Sequence, residues 1–153
     1  MQQPKPSNFP PNPALQRFSP IIGTWDTTGT HGMIPGTILH GRTSFEWHDG
    51  FIRMNSSIQE PVGIPAGLAV IGSDDELDTY TMQYYDTRGV SRNYSVSIQH
   101  NVMKWWRDAS SFSQRYSLTI SANGRTMTGK GELSKDGSNW EKDLDLDYQK
   151  VKG

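Results

Sequence analysis

The chain has 153 residues, enough for one domain with a hydrophobic core and hardly enough for two. Fifteen Lys and Arg against sixteen Asp and Glu leave a formal net charge of −1, which disfavours nucleic acid or an anionic membrane as the main partner. The absence of cysteine excludes disulfides, thiolate metal sites and cysteine nucleophiles.

Residues 1–11 are expected to form a flexible N-terminal segment, and residues 12–153 the folded domain. The first residues are rich in Pro, Gln and Asn and lack the apolar core of a signal peptide, so we expect a cytoplasmic protein. No run approaches the roughly 18 apolar residues of a membrane-spanning helix.

The first element is a short helix. Asn12 is suited to the N-cap and Pro13 to the first helical position, with helix continuing through residues 14–18. Pro20 is expected to end it.

Short strands separated by tight turns are predicted for the rest of the chain. The segment Gly23-Thr24-Trp25 opens the first of them, because Gly23 allows a close turn into the strand and Trp25 supplies a large ring for one end of a core. Turn residues such as Asp49-Gly50, Arg88-Gly89 and Asn123-Gly124 separate the strands. About ten strands are predicted, near residues 23–31, 37–47, 51–58, 67–72, 78–86, 91–98, 102–107, 114–121, 125–133 and 140–151.

Many short antiparallel strands in a small domain must protect their edges, and closing the sheet on itself does so most completely. The fold class is therefore all-β: a single antiparallel up-and-down barrel of about ten strands with a short N-terminal helix. A two-sheet sandwich is the alternative. The irregular connection at residues 60–67 is suited to covering the mouth of a barrel or contacting a partner, and a homodimer is an alternative to a monomer.

Alternation of side chains predicts which faces look inward. Tyr84 is expected to face inward from residues 78–86, as are Arg92 and Tyr94 from residues 91–98. If the Met103 face of the next strand is also inside, Trp105 and Arg107 join them. In the last strand Trp140, Leu144, Leu146 and Tyr148 share one face, which leaves Asp143, Asp145 and Asp147 in solvent.

Two inward guanidiniums, Arg92 and Arg107, would need partners because an unpaired buried charge is costly. A ligand carboxylate, phosphate or enolate is one choice. Stacking on a neighbouring ring, or pairing with an internal acid such as Glu46 or Asp86, is the other.

The strand at residues 37–47 allows a second kind of site. A conventional barrel puts Leu39, Gly41, Thr43, Phe45 and Trp47 inside and leaves His40, Arg42, Ser44 and Glu46 in solvent. With the faces reversed, Glu46 with His40 or Arg42 would form an acid-base cluster, which makes Glu46 and His40 candidates for catalytic residues.

The four histidines show no metal-ligand spacing, and no glycine-rich nucleotide loop follows a strand, so no metal and no cofactor is expected. His31 alternates in phase with Trp25 at the end of the first strand, which makes it a candidate residue at the barrel mouth.

Three stretches carry a resemblance to known proteins. Gly23-Thr24-Trp25, residues 40–47 and the block 84–92, which reads Tyr-Tyr-Asp-Thr-Arg-Gly-Val-Ser-Arg, resemble an uncharacterised bacterial family within the calycin-like β-barrels. The similarity covers roughly residues 14–151. The family is related in fold to lipocalins, fatty-acid-binding proteins and haem-binding nitrobindins, which implies a barrel of about eight to ten strands around a cavity.

Relatives in fold differ from this chain where they hold their ligands. Nitrobindins ligate haem through a histidine of the final strand, where this chain has residues 143–148 without one. Fatty-acid-binding proteins bind the ligand carboxylate with Arg-x-Tyr on the last strand, whereas Arg92-Asn93-Tyr94 lies on an earlier strand here.

The leading hypothesis is a barrel that binds a small, partly apolar, anionic molecule through Arg92, Arg107, Tyr84, Tyr94, Trp105 and His31. One alternative is a small-molecule isomerase, cyclase or lyase that uses Glu46 with an Arg or Tyr partner. Haem binding through a histidine outside the final strand, such as His31, is a second.

Overall fold

The computed structural model describes residues 9–75, 77 and 79–151. Its elements are a 3₁₀ helix, Pro13–Ile21, and ten strands: β1 Gly23–His31, β2 Leu39–His48, β3 Phe51–Glu60, β4 Gly67–Asp74, β5 Thr79–Asp86, β6 Ser91–Gln99, β7 Val102–Arg107, β8 Ser113–Ile120, β9 Thr126–Ser134 and β10 Glu141–Lys150. Residues 1–8 lie outside the described part, so the expected boundary between a flexible segment at residues 1–11 and the domain stays a prediction.

The ten strands form one closed antiparallel barrel in which each strand pairs with its neighbours in sequence. Closure comes from β1 and β10, whose register runs from Trp25 opposite Lys150 to His31 opposite Leu144. The prediction of an all-β up-and-down barrel is confirmed, and the sandwich is excluded. In the described residues, no helix is long and apolar enough to cross a membrane.

The helix closes one end of the barrel. Asn12 caps it as predicted, with the Ala14 N–H donating to Asn12 Oδ1 at 2.9 Å. The helix runs on through Pro20 to Ile21, so the expected stop came too early. Its buried side chains, Leu15, Phe18 and Ile21, enter the core. We call this the closed end.

The side chains at the closed end are apolar and buried. The Trp25 ring is fully buried there and donates its Nε1–H to the Ile21 carbonyl at 2.9 Å. Phe18 meets Tyr80 edge-on at 4.9 Å, and the Tyr80 hydroxyl donates to the Ala14 carbonyl at 2.9 Å. Side chains such as Ile52 and Ile71 are 0% exposed, so apolar burial at this end supplies much of the stability.

The opposite end is the open end, where β10 departs from simple alternation. The register of β10 against β9 shifts between Lys142 and Asp145. Such a bulge moves the residues beyond it to the other face of the sheet. The expectation that Asp143 lies in solvent with Asp145 and Asp147 is therefore wrong for Asp143, whose side chain is only 15% exposed and contacts inward-facing groups.

The ladder between β6 and β7 is incomplete at the open end. The two strands pair from Gln99 opposite Val102 to Ser95 opposite Trp106, and among the described residues no pair continues toward Ser91. On its other side β6 stays paired with β5 as far as Ser91 opposite Tyr85. β6 and β7 therefore diverge, and the gap between them is called the β6–β7 cleft below.

Candidate functional site

The six side chains predicted to bind a ligand all belong to the inward-facing series of their strands, near the open end. They are His31 on β1, Tyr84 on β5, Arg92 and Tyr94 on β6, and Trp105 and Arg107 on β7. Except for Tyr94, which is 7% exposed, they are only partly buried, in contrast to the closed end. Solvent therefore reaches the inner face here, and the predicted residues share one region of the barrel.

Arg92 and Arg107 both approach the ring of Phe112, in the connection between β7 and β8. The guanidinium carbon lies 4.8 Å from the ring centroid for Arg92 and 5.9 Å for Arg107. Among the residues that the structure describes, neither guanidinium has a carboxylate oxygen within 4.0 Å. Of the partners weighed for these arginines, the structure thus shows ring stacking and no ion pair with Glu46 or Asp86.

The β6–β7 cleft lies beside these two side chains and has a volume of about 570 Å³. Its walls are the diverging ends of the two strands, residues 91–95 and 106–108. Arg92, Tyr94 and Arg107 line its inner side, whereas Asn93 and Asp108 are exposed on its outer side. The cleft is open at the surface, and both residues that carry the guanidiniums are among its lining residues.

A chain of hydrogen bonds crosses the open end from β1 to β6. His31 Nε2 lies 2.9 Å from Asp143 Oδ1, and Gln114 Nε2 donates to Asp143 Oδ2 at 2.9 Å. The Tyr94 hydroxyl donates to Gln114 Oε1 at 2.5 Å. Because the Met33 N–H donates to His31 Nδ1 at 3.0 Å, Nε2 carries the proton that His31 donates to Asp143.

The charges of this chain follow from its contacts. Burial alone would raise the pKa of Asp143, but hydrogen bonds from His31 and Gln114, with the nearby charge of Arg92, hold it below the ordinary value of 3.8. Burial raises the pKa of Tyr94, against the opposing effect of Arg92. At neutral pH Asp143 is a carboxylate and Tyr94 a neutral hydroxyl.

Tyr84 belongs to a second group, at the turn between β5 and β6. Its hydroxyl donates to Asp86 Oδ2 at 2.9 Å, and Arg88 donates to the same carboxylate through Nη2 at 2.8 Å and through its backbone N–H at 2.9 Å. The bonds from Arg88 hold the pKa of Asp86 well below its usual range. Asp86 is therefore neutralised locally.

Trp105 continues the inner surface toward the core. Its ring stacks on Tyr116, with centroids 4.5 Å apart. The Tyr116 and Tyr148 hydroxyls are 2.7 Å apart in a buried pair, and burial raises the pKa of both. Gly129 makes room for this pair, since a Cβ there would lie 1.8 Å from the Tyr116 hydroxyl oxygen. The hydroxyl of Tyr148 is thus engaged in the core.

Glu46 and His40 lie on the outer face of β2, as in the conventional barrel. Both are exposed, and Arg53 donates its Nε–H to Glu46 Oε1 at 3.1 Å. Leu39, Thr43 and Phe45 of the same strand are buried. The acid-base cluster imagined for these residues is therefore wrong, because strand alternation places both candidates outside the cavity.

The residues offered for haem do not fit it. Both ring nitrogens of His31 already have partners, Met33 N–H and Asp143, so neither is directed at a cavity with a free lone pair. The final strand turns Leu146 and Tyr148 inward and carries no histidine. In the described residues, no three His, Cys, Asp or Glu side chains gather as a metal site.

Sequence reasoning missed three residues of the site: Phe112, Gln114 and Asp143. Phe112 lies in an irregular connection, where no periodicity indicates the direction of a side chain. Gln114 lies in phase with Tyr116 on β8 and was available from alternation. Asp143 was missed because the bulge in β10 turns it inward. The alternating Asp and Leu residues of this strand give no sign of a bulge.

A second depression, of about 600 Å³, lies on the outer face of β7–β9. Arg115 stacks there on Trp140, with its guanidinium carbon 3.8 Å from the ring centroid, and pairs with Glu132 at 3.0 Å. Unlike Arg92 and Arg107, Arg115 has a carboxylate partner.

Comparison with known proteins extends only to the fold. No protein-family model and no curated protein matches the sequence. The structure is similar to the crystal structure of Rv2717c from Mycobacterium tuberculosis, with a TM-score of 0.66 over 94% of this chain and 100% of that chain. Sequence identity over the match is 13%, so the likeness shows a shared barrel fold and nothing about the ligand.

Proposed function

We propose that the protein binds a small, partly apolar molecule with an anionic group at the open end of the barrel. Arg92 and Arg107 bind the anion, and Tyr84, Tyr94 and Trp105 line the space for the rest of the ligand. The observation that carries the proposal is the pair of partly buried guanidiniums beside one cleft, neither with a carboxylate within 4.0 Å among the described residues.

Ring stacking on Phe112 leaves the N–H donors of these arginines available for a ligand. A cation over a ring uses the face of the guanidinium, while its N–H donors lie in the plane and remain available. Planar donor pairs match a carboxylate or phosphate in a bidentate geometry. Phe112 thus orients two donor groups toward the cleft without neutralising their charge.

The surrounding groups favour an anion over a cation. Tyr94 is neutral at physiological pH, and the charge of Asp86 is compensated by the ion pair with Arg88. Asp143 contributes one negative charge, stabilised by hydrogen bonds from His31 and Gln114. The two positive charges of Arg92 and Arg107 exceed it, and neither guanidinium has a carboxylate oxygen within 4.0 Å among the described residues.

Partly buried apolar side chains support the partly apolar character of the ligand. Tyr84, Trp105, Leu144 and Met54 pack against the core from the open end without being fully buried. Covering this surface with a ligand would gain roughly 25 cal/mol per Å² of apolar area. The resemblance to calycin-like barrels implies a barrel around a cavity, which points in the same direction.

Titration of an anionic fluorescent lipid probe tests the proposal. We expect Arg92→Ala and Arg107→Ala each to weaken binding about tenfold or more, because each removes a charged hydrogen bond worth roughly 1.5–3 kcal/mol. Arg115→Ala is the matched control, since Arg115 is already paired on the outer face. Equal affinity of all three variants and the parent protein would remove both arginines from the site.

A further inference from the structure

The β6–β7 cleft exposes backbone hydrogen-bonding groups as well as side chains. In an antiparallel ladder, residues directly opposite each other alternate between pairs that exchange hydrogen bonds and pairs that do not. His100 and Asn101 have φ of 51° and 63° and form a two-residue turn of the kind that is flanked by a hydrogen-bonded pair, here Gln99 and Val102. The pair Ser95 and Trp106 is hydrogen-bonded by the same alternation.

The next hydrogen-bonded pair would join Asn93 to Asp108, and the ladder stops before it. The hydrogen bonds between β5 and β6 give the same alternation for β6 independently. The Asp86 N–H donates to the Val90 carbonyl at 3.1 Å, so Tyr84 and Arg92 form a hydrogen-bonded pair and Gln83 and Asn93 do not. The N–H and C=O of Asn93 therefore face the cleft, and β5 does not use them.

A donor and an acceptor of an extended backbone thus lie one residue from Arg92, whose side chain faces the inner side of the same cleft. In an extended conformation, the amide N–H and the carboxyl group of one amino-acid residue point to the same side, so they fit the Asn93 C=O and N–H in the way that one residue of an added strand fits a sheet edge. A carboxylate one carbon from that amide nitrogen has a second oxygen for the guanidiniums of Arg92 and Arg107, which line the same cleft. The exposed carboxylate of Asp108 on the outer side disfavours a ligand anion there, which directs the ligand's charge inward.

We propose that the ligand is an N-acyl amino acid, whose amide N–H donates to the Asn93 carbonyl while its carboxylate accepts from the Asn93 N–H and binds Arg92 and Arg107. This inference rests on the proposed function and specifies its ligand class. The acyl chain extends along the apolar inner surface formed by Trp105 and its neighbours. A simple fatty acid offers the same charge and chain but leaves the Asn93 carbonyl without a donor.

Three ligands of similar length isolate the amide, each titrated calorimetrically below its micelle concentration. They are N-dodecanoylglycine, N-dodecanoylsarcosine, in which a methyl group replaces the amide hydrogen, and tetradecanoate, which has no amide. We expect the glycine conjugate to bind about fivefold or more tightly than either of the others, as one additional hydrogen bond gives. An acetylated tetrapeptide with a free carboxyl end offers the same groups without the chain, and tighter binding of it would overturn the choice of an N-acyl amino acid.

A matched pair of variants places the effect at Asn93. Asn93→Pro removes the N–H that faces the cleft without removing a hydrogen bond to β5, whereas Asn93→Ala keeps that N–H and changes only an exposed side chain. Because Asn93→Pro keeps the carbonyl of residue 93, we expect it to weaken the binding of both conjugates, each of which has a carboxylate for the lost N–H, and to keep the preference for the glycine conjugate. We expect Asn93→Ala to bind both as the parent protein does, and unchanged affinities in Asn93→Pro would overturn the pairing at Asn93.

The outcomes separate this inference from the proposed function. Equal binding of all three ligands by the parent protein, with affinity still lost in Arg92→Ala, would overturn the N-acyl amino acid and leave the anion site standing. Loss of the arginine dependence would overturn the anion site itself. The comparison of ligands is made on the parent protein, so it stays decisive even if Asn93→Pro folds poorly.

Discussion

Removal of the Asp143 carboxylate should destabilise the barrel, while removal of the Asp147 carboxylate should not. Alternation alone treats the two residues as equivalent members of an exposed face. The bulge in β10 separates them, because it turns Asp143 toward His31 and Gln114 and leaves Asp147 in solvent.

The magnitude follows from the two hydrogen bonds that Asp143 accepts, both at 2.9 Å, from a side chain that is 15% exposed. Hydrogen bonds to a charged group contribute roughly 1.5–3 kcal/mol each where they are buried. Because the His31 side chain is 26% exposed and water replaces part of what is lost, we expect Asp143→Ala to cost about 2–3 kcal/mol in total. Asp147→Ala should stay within about 0.5 kcal/mol of the parent protein, as surface changes usually do.

The pH dependence of stability distinguishes Asp143→Ala from Asp147→Ala in a second way. The pKa of Asp143 is lowered in the folded protein, so its contribution is present above the ordinary value of 3.8 and is lost as pH falls through the lower folded value. Urea unfolding of both variants and the parent protein at pH 7 and at lower pH measures this. A cost for Asp143→Ala that equals that of Asp147→Ala, or that stays constant as the pH falls well below 3.8, would refute the inward position of Asp143.

Two further expectations concern the core and are read by urea unfolding. Tyr116→Phe and Tyr148→Phe should each cost about 1–3 kcal/mol, since each leaves a buried hydroxyl without its partner, and the double variant should cost less than the sum; strict additivity would contradict the paired hydroxyls. Thr27→Val should raise the unfolding free energy by about 1 kcal/mol, because Thr27 Oγ1 is buried without a hydrogen-bond partner in the described structure; a loss of stability would show that this hydroxyl is satisfied.

Much of the barrel could be predicted because local signals and the global fold agree. β1 and β7 begin and end where their alternation and turn residues indicated, at Gly23–His31 and Val102–Arg107. The same alternation placed Arg92 and Trp105 correctly on the inner face. Periodicity is a property of the strand itself, so it survives without knowledge of the neighbouring strands.

The missing parts of the site depend on events that alternation does not encode. The bulge that turns Asp143 inward is set by how β10 meets β9, and the early end of the β6–β7 ladder is set by how two strands diverge. Phe112 was missed for a related reason, because its position depends on an irregular connection. The sequence nevertheless favoured the correct face for Glu46, since burying Leu39, Thr43 and Phe45 outweighs burying four polar side chains.

The most direct test of the anion site compares decanoate with decanol on the parent protein and on the Arg92→Ala/Arg107→Ala double variant, by calorimetric titration. The two ligands share an apolar chain and differ in charge. The account predicts that the parent protein prefers decanoate by about tenfold or more and that the double variant loses this preference while keeping its affinity for decanol. An equal preference for decanoate in both proteins would contradict the assignment of the anion to Arg92 and Arg107.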